Sequence, residues 1–269
     1  MLLKYSLLKK PIHDIVLVGA GNVATHLGKA LKDQGYHIIQ VYSRTLKSAK
    51  ILSSQLNAAF ITDIGRLNYN ADLYLFCLKD EALLPVLCQT SFTDQLLVHT
   101  SGTIPIIVFQ GFSNKYGVLY PVQTFSKTRR LELNNVPFCI EANNPETALI
   151  LENLVSGISK NIIFMDSEKR KLLHLAAVFA CNFPNHMYLL AEEILKIKDL
   201  SFELIKPLIL ETAAKILEFD PKNAQTGPAV RGDQKILEEH LHMLKNLPEI
   251  QKIYTFVSNS ISTQMKSRE

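Results

Sequence analysis

Gly19-Ala20-Gly21-Asn22-Val23 is the stretch whose residue types and spacing suit the binding of phosphate. Gly19 allows a tight turn, Gly21 leaves room for a phosphate against the backbone, and Ala24 is the small residue needed where a helix crosses a strand. The apolar run from Ile15 to Val18 has the composition of a buried parallel strand. Val23, Leu27 and Leu31 then recur at helical spacing. A strand, turn and helix in this order present backbone N–H groups and a helix N-terminus to a pyrophosphate. A bare turn in an α/β protein is the alternative.

The second strand, His37 to Tyr42, ends in Ser43-Arg44-Thr45. Folds that bind NAD or FAD place an acid here to accept the ribose hydroxyls, and none is present. Arg44 could instead fork onto a 2′-phosphate, with Ser43 and Thr45 adding hydroxyls and Lys47 adding charge. The same missing acid argues against S-adenosylmethionine. The expected cofactor is therefore NADP(H).

Ligands in open α/β sheets lie beyond the carboxyl ends of the strands. Three such ends are unusually polar: Leu78-Lys79-Asp80, His99-Thr100-Ser101-Gly102 and Gln123-Thr124. Leu78 and Lys79 are expected beside the ribose or nicotinamide, and Ser101, Gly102, Gln123 and Thr124 around the substrate. A simple strand-ending turn is the alternative for Ser101-Gly102. Hydride transfer to a carbonyl needs a proton donor, and His174, in an otherwise apolar helix, is the candidate. Asn182 follows two turns later, loosely on the same face, as an orienting partner or substrate contact. A core histidine bonded to a backbone carbonyl is the bland reading. Arg231, in the loop Gln225 to Asp233, could clamp a substrate carboxylate or hold a phosphate, from this or a partner subunit, with a surface salt bridge as the alternative, and Asp233 suits the cap of the following helix. There is no phosphate-binding GK[ST] loop, HExxH, GxSxG or Cys/His metal spacing, so no metal site is expected.

The elements that must position these residues alternate as far as Met165. Helices are expected over 46–56, 81–88 and 145–158, and strands near 59–61, 72–78, 95–99, 117–125, 136–141 and 161–165. This implies an α/β fold with a mostly parallel sheet and helices on both faces. From Ser167 only helical patterns remain, over roughly 168–196, 207–219, 234–245 and 248–265, and Pro184 should kink or split the first of them. The expected domains are 1–166, binding the dinucleotide, and 167–269, all-helical, carrying substrate and dimer contacts.

The 269 residues are 47% hydrophobic and 20% charged, enough for real cores. The net charge of +4 is scattered, so a nucleic-acid partner is not expected. Of the cysteines, Cys77, Cys139 and Cys181 sit in apolar surroundings, which suits buried free thiols in a reducing cytoplasm. The start, MLLKYSLLKKPIHD, reads as a short lead-in and not a signal peptide. The apolar stretch Leu172 to Leu195 is too polar for a membrane span.

VLVGAGNVATHL, HTSG, YPVQTFS, HLAAVFACNFPNH and TGPAVRGD with His240 downstream together resemble a family of NADP-dependent oxidoreductases. That family joins a Rossmann-like domain to a helical C-terminal domain of unknown function. More distantly the chain is similar to pyrroline-5-carboxylate reductase, which shares the glycine turn and a helical, dimer-forming second domain, and to ketopantoate reductase and the β-hydroxyacid dehydrogenases. The dehydrogenases' catalytic Lys with an Asn one turn on is missing here, since Leu175 follows Lys171 and Leu173 follows Lys169. The resemblance implies fold and cofactor, and no substrate. The expectation is an NADP-dependent enzyme moving a hydride to or from a small, carboxylate-bearing keto or imino compound, cytoplasmic and dimeric through its helical domain. A non-catalytic NADP(H)-binding sensor is the alternative.

Overall fold

A computed structural model describes residues 12–266; the first eleven residues of the lead-in read from the sequence lie outside that range. The chain forms two compact units that divide between Asn182 and Phe183.

The first unit is built on an eight-stranded sheet in the order β3-β2-β1-β4-β5-β6-β7-β8. The strands are β1 (Asp14–Val18), β2 (His37–Tyr42), β3 (Ala59–Ile61), β4 (Leu73–Phe76), β5 (Leu96–His99), β6 (Lys115–Pro121), β7 (Phe138–Ala142) and β8 (Ile162–Phe164). Every neighbouring pair is parallel except β6 and β7, which are antiparallel. The order radiates outward from β1 and β4, which opens a crevice at the carboxyl ends of the central strands. Helices α1 (Asn22–Asp33), α2 (Leu46–Leu56), α3 (Asp80–Leu87) and α4 (Pro145–Ser156) pack on the two faces.

Alternation within the strands creates two cores. Ile15 and Leu17 of β1 face Leu27 and Leu31 of α1 and Leu151 and Leu154 of α4. Val16 and Val18 face the other way, with Tyr74 and Phe76 of β4, against Leu83 and Val86 of α3 and Phe109. A sheet covered on both faces needs apolar residues at successive positions, hence the unbroken runs in β1, β4 and β5. Local signals set the helix ends. Asn144 accepts from the Thr147 backbone N–H at 2.8 Å with Pro145 at the first position of α4. Asn57 closes α2 in the left-handed region at φ 57°.

Helix α5 (Ser167–Ala177) starts at Asp166, whose side chain accepts from the Lys169 N–H at 2.8 Å, so strands give way to helices where the sequence indicates. A π-turn, Val178–Asn182, follows, and α6 (Phe183–Lys196) opens with Pro184 in its first turn. The expected break is there, as a widening of the helix just before the proline. The second unit continues through α7 (Lys206–Glu218), the short α8 (Pro221–Ala224) and α9 (Pro228–Arg231), α10 (Gln234–Met243) and α11 (Pro248–Lys266). Among the described residues no helix is long and apolar enough to cross a membrane. All four cysteines are free; Cys77 and Cys139 are buried, but Cys181, expected in a core, is exposed on the π-turn. Its apolar neighbours are themselves exposed, Phe179 and Phe183 among them.

Candidate active site

At the head of α1 the backbone demands one glycine and leaves space at another. Gly19 has φ 120°, and a Cβ there would lie 2.3 Å from the Cys77 carbonyl oxygen. Its N–H donates to Tyr42 O at 2.9 Å, which locks the turn between β1, β2 and β4. Gly21 caps α1 without a side-chain hydrogen bond, and a Cβ there would come no nearer to neighbouring atoms than 4.0 Å. The free N–H groups of the first helical turn therefore face open space, the cradle a pyrophosphate requires.

A loop after β6 straps the outside of this turn. Asn22 Nδ2 donates to Phe125 O at 2.8 Å, His26 Nε2 pairs with Ser126 O at 2.9 Å, and Lys127 Nζ donates to Ala20 O at 2.7 Å. The side chain of Asn22 thus has a positioning job. At the end of β2, Thr45 caps α2 without a side-chain bond, and Arg44 and Lys47 are exposed beside it. Uncapped N–H groups next to these cations suit a second phosphate, so the residues present fit a 2′-phosphorylated dinucleotide.

A cleft of about 360 Å³ opens at the carboxyl ends of the central strands. Among the residues singled out in the sequence it brings together Gly21, Asn22, Val23, Leu78, Lys79, Ser101, Gly102, Gln123 and His174. Gly19 and Ala20 form the turn beneath it, and Ser43, Arg44 and Thr45 stand at the end of β2, outside its lining. Thr124 is exposed beside the cleft, its N–H taken by Gln123 Oε1 at 2.8 Å. Ser101 serves its own turn: its hydroxyl accepts from the Thr103 and Ile104 N–H groups at 3.0 and 3.1 Å. Thr103 in turn donates to the Asp80 carboxylate, tying the β5 loop to the end of β4.

His174 is not partnered by Asn182. Its Nδ1 lies 3.0 Å from the Tyr120 hydroxyl, and the ring packs so closely on Gly102 that a Cβ there would lie 2.6 Å from Nδ1. Asn182 is exposed on the π-turn, because the helical register is interrupted before it is reached. Burial pushes the Tyr120 phenol above its ordinary range, so it stays protonated and neutral beside the imidazole. Arg231 lies in the second unit, its Nε donating to Asp233 Oδ2 at 2.9 Å. Asp233 holds the cap position of α10, but its carboxylate makes no cap bond and engages Arg231 instead.

Sequence reasoning missed Tyr120, which sits fifty-four residues from its partner, and also Arg170. The Arg170 side chain is fully buried, bonded to the Glu141 carboxylate of β7, to Ile104 O and to Ser167 Oγ. Ser167 Oγ itself donates to Glu141 Oε2 at 2.8 Å and accepts from Ile106 N–H at 3.1 Å. This network fastens α5 to the sheet one turn before His174, and the i, i+4 spacing to His174 was the available signal. Beneath it, His99 is buried and held neutral, its pKa pushed down to about 3 by burial and then by the Arg170 charge. Burial likewise drives the Cys77 thiol up to about 12, leaving it inert under the glycine turn.

Residues 14–102 match the family described as NADP oxidoreductase, coenzyme F420-dependent. Residues 136–261 match a domain of unknown function, DUF2520, whose match begins inside the sheet. A Bacteroides fragilis protein provisionally named an NADP oxidoreductase is 47% identical over 94% of this chain and 98% of its own, with a TM-score of 0.89. An imine reductase from Myxococcus stipitatus, solved with NADP+, is 14% identical over 94% of this chain and 93% of its own, with a TM-score of 0.64. A 1-pyrroline-5-carboxylate reductase from Streptococcus pyogenes is 15% identical over 93% of this chain and 98% of its own, with a TM-score of 0.59. The last two show the fold alone. No curated protein matches.

Proposed function

Because this chain belongs to the family of NADP oxidoreductases that precede a DUF2520 domain with a dinucleotide-binding segment, we propose that it is an NADPH-dependent reductase of a small keto or imino compound. His174 is the proton donor in this reading. The observation that carries it is that His174 and the glycine turn line one cleft.

The cofactor is NADP(H). Gly19 to Val23 would hold its pyrophosphate, Ser43, Arg44 and Thr45 the 2′-phosphate, and Leu78 and Lys79 the nicotinamide side. Bound there, the nicotinamide supplies a hydride. The chain's own residues supply the proton. In the imidazolium form of His174, Nδ1–H donates to the Tyr120 oxygen and Nε2–H is the proton delivered to the substrate oxygen or nitrogen as the hydride arrives. After delivery, in this reading, the ring keeps its Nδ1–H on the Tyr120 oxygen, a contact that orients the imidazole, and Nε2 takes up the next proton. Tyr120 is a positioning residue, and Gln123 and Thr103 line the space for the substrate. The reading needs nothing from Arg231, whose guanidinium is engaged by Asp233. Imine and pyrroline reduction by proteins of the same fold makes imino compounds the first class to screen.

The helical unit is the proposed homodimer contact, since α6, α7 and α10 bury no residue within their own chain.

The test is a titration with NADPH and NADH followed by nicotinamide fluorescence, then a screen of keto and imino acids. Arg44→Ala is expected to weaken NADPH by about tenfold or more while leaving NADH unchanged, the loss of one charge-assisted fork. His174→Ala is expected to lower kcat by about 10²- to 10⁴-fold with NADPH affinity intact. Turnover that survives His174→Ala would remove it as the donor, and equal losses for both nucleotides would remove Arg44 from the 2′-phosphate.

A further inference from the structure

We propose that His13, Asp14 and His37 form a site for a divalent transition-metal ion of the zinc class. It lies at the amino-terminal edge of the sheet, the end opposite the cleft.

Asp14 Oδ1 is 2.7 Å from His13 Nδ1 and 3.0 Å from His37 Nδ1, and one ligand atom from each of the three residues lies within 4.8 Å of the others. The two imidazole nitrogens are borderline ligands that favour zinc, nickel or copper over magnesium or calcium, and the harder carboxylate oxygen is a regular third ligand to zinc. A tetrahedral zinc with bonds of about 2.0–2.2 Å sets its ligand atoms roughly 3.4 Å apart. The exposed histidine rings reach that spacing by rotating about their own side-chain bonds, and water takes the remaining position.

The sheet, and not a surface loop, sets this convergence. Asp14 and His37 are direct partners in the parallel β1–β2 register, and His37 N–H donates to His13 O at 2.9 Å. The N–H groups of His13 and Asp14 both donate to Asp72 Oδ2 at 2.9 Å. That fixes the main chain under two of the ligands and sets a second carboxylate beside the site, where its charge favours a cation. In the structure the carboxylate bridges the two imidazoles, the arrangement an ion would occupy in place of the bridging protons. The sequence hid the site because His37 is remote in the chain from His13-Asp14, and only strand pairing joins them. A bound ion would staple β1 to β2 and stabilise the folded state by mass action.

The experiment uses the untagged full chain stripped with EDTA. Calorimetric titration with zinc chloride and the absorption spectrum of the cobalt(II) form give stoichiometry and ligand type. The proposal expects one ion per chain, a melting temperature that rises with zinc, and binding at least about tenfold weaker in His37→Ala and Asp14→Asn. NADPH affinity should be unchanged in both. His37 is exposed, so its loss leaves the fold in place and the comparison stays clean. Absence of zinc binding by the wild type overturns the proposal, as does binding that survives His37→Ala and His13→Ala together, which would put the ion on other histidines such as His240 and His242.

Discussion

His99 shows how a single side chain sets a property of the protein without touching substrate. It is 1% exposed, and its Nδ1 accepts from Ser101 N–H at 3.2 Å. Burial and the neighbouring Arg170 charge hold it neutral, with a pKa down to about 3, whereas in the unfolded chain it titrates near 6.5. Between those values the unfolded state binds the proton and the folded state does not. This contribution to stability is therefore complete above about pH 6.5 and is lost as pH falls toward 3, with a slope approaching 1.4 kcal/mol per pH unit. Urea melts from pH 7 to pH 4.5 check this: His99→Asn should flatten the dependence by about one proton, and an unchanged slope would assign it to other groups. At this scale the sequence was legible where one residue type has one use. Gly19 and Gly21 follow from the geometry of a tight strand-to-helix turn. Tyr120 and Arg170 do not, because a tyrosine in a strand and an arginine in an amphipathic helix have many uses until the fold supplies the partner.

Helix α5 is the element on which the site depends. Its register is set by Arg170, a fully buried guanidinium whose removal would leave Glu141 uncompensated, a change that typically costs about 3–5 kcal/mol. One turn later His174 rests on Gly102, where the β5 loop comes within contact distance of the ring. Gly102→Ala would put a methyl group 2.6 Å from Nδ1, so the ring must leave Tyr120. We expect kcat to fall by about the factor that removing the donor produces, roughly 10²–10⁴, with NADPH binding kept. Full activity would mean that the chemistry does not depend on that packing. The elements themselves were readable, since apolar runs and helical periodicity marked nearly every strand and helix. Direction was not: residue alternation is the same in parallel and antiparallel strands, and β7 reverses against β6. The loop between Pro121 and Phe138, which carries no helix, was the clue, because only antiparallel neighbours can dispense with a crossover.

At the scale of the molecule, the second unit leaves a large apolar surface uncovered. Leu204, Leu208, Leu210 and Leu217 are 66%, 64%, 72% and 88% exposed, and Met243 and Phe256 are 70% and 77% exposed. Leu208, Leu210 and Leu217 all lie on α7, which buries nothing in its own chain. Water penalises such a surface by about 1.5–3 kcal/mol for each large side chain that could be buried, and a symmetric pair of chains offers the matching patch at no further cost in sequence. The apolar excess was visible in the sequence, but its exposure was not, because periodicity marks an apolar face without saying which chain covers it. The expected assembly is a homodimer, with light scattering giving twice the chain mass of 30.3 kDa. Leu217→Glu should shift the equilibrium toward single chains without unfolding the sheet unit, which circular dichroism and NADPH binding would report. A single-chain mass for the wild type at micromolar concentration would overturn the dimer and leave this surface open to a different partner.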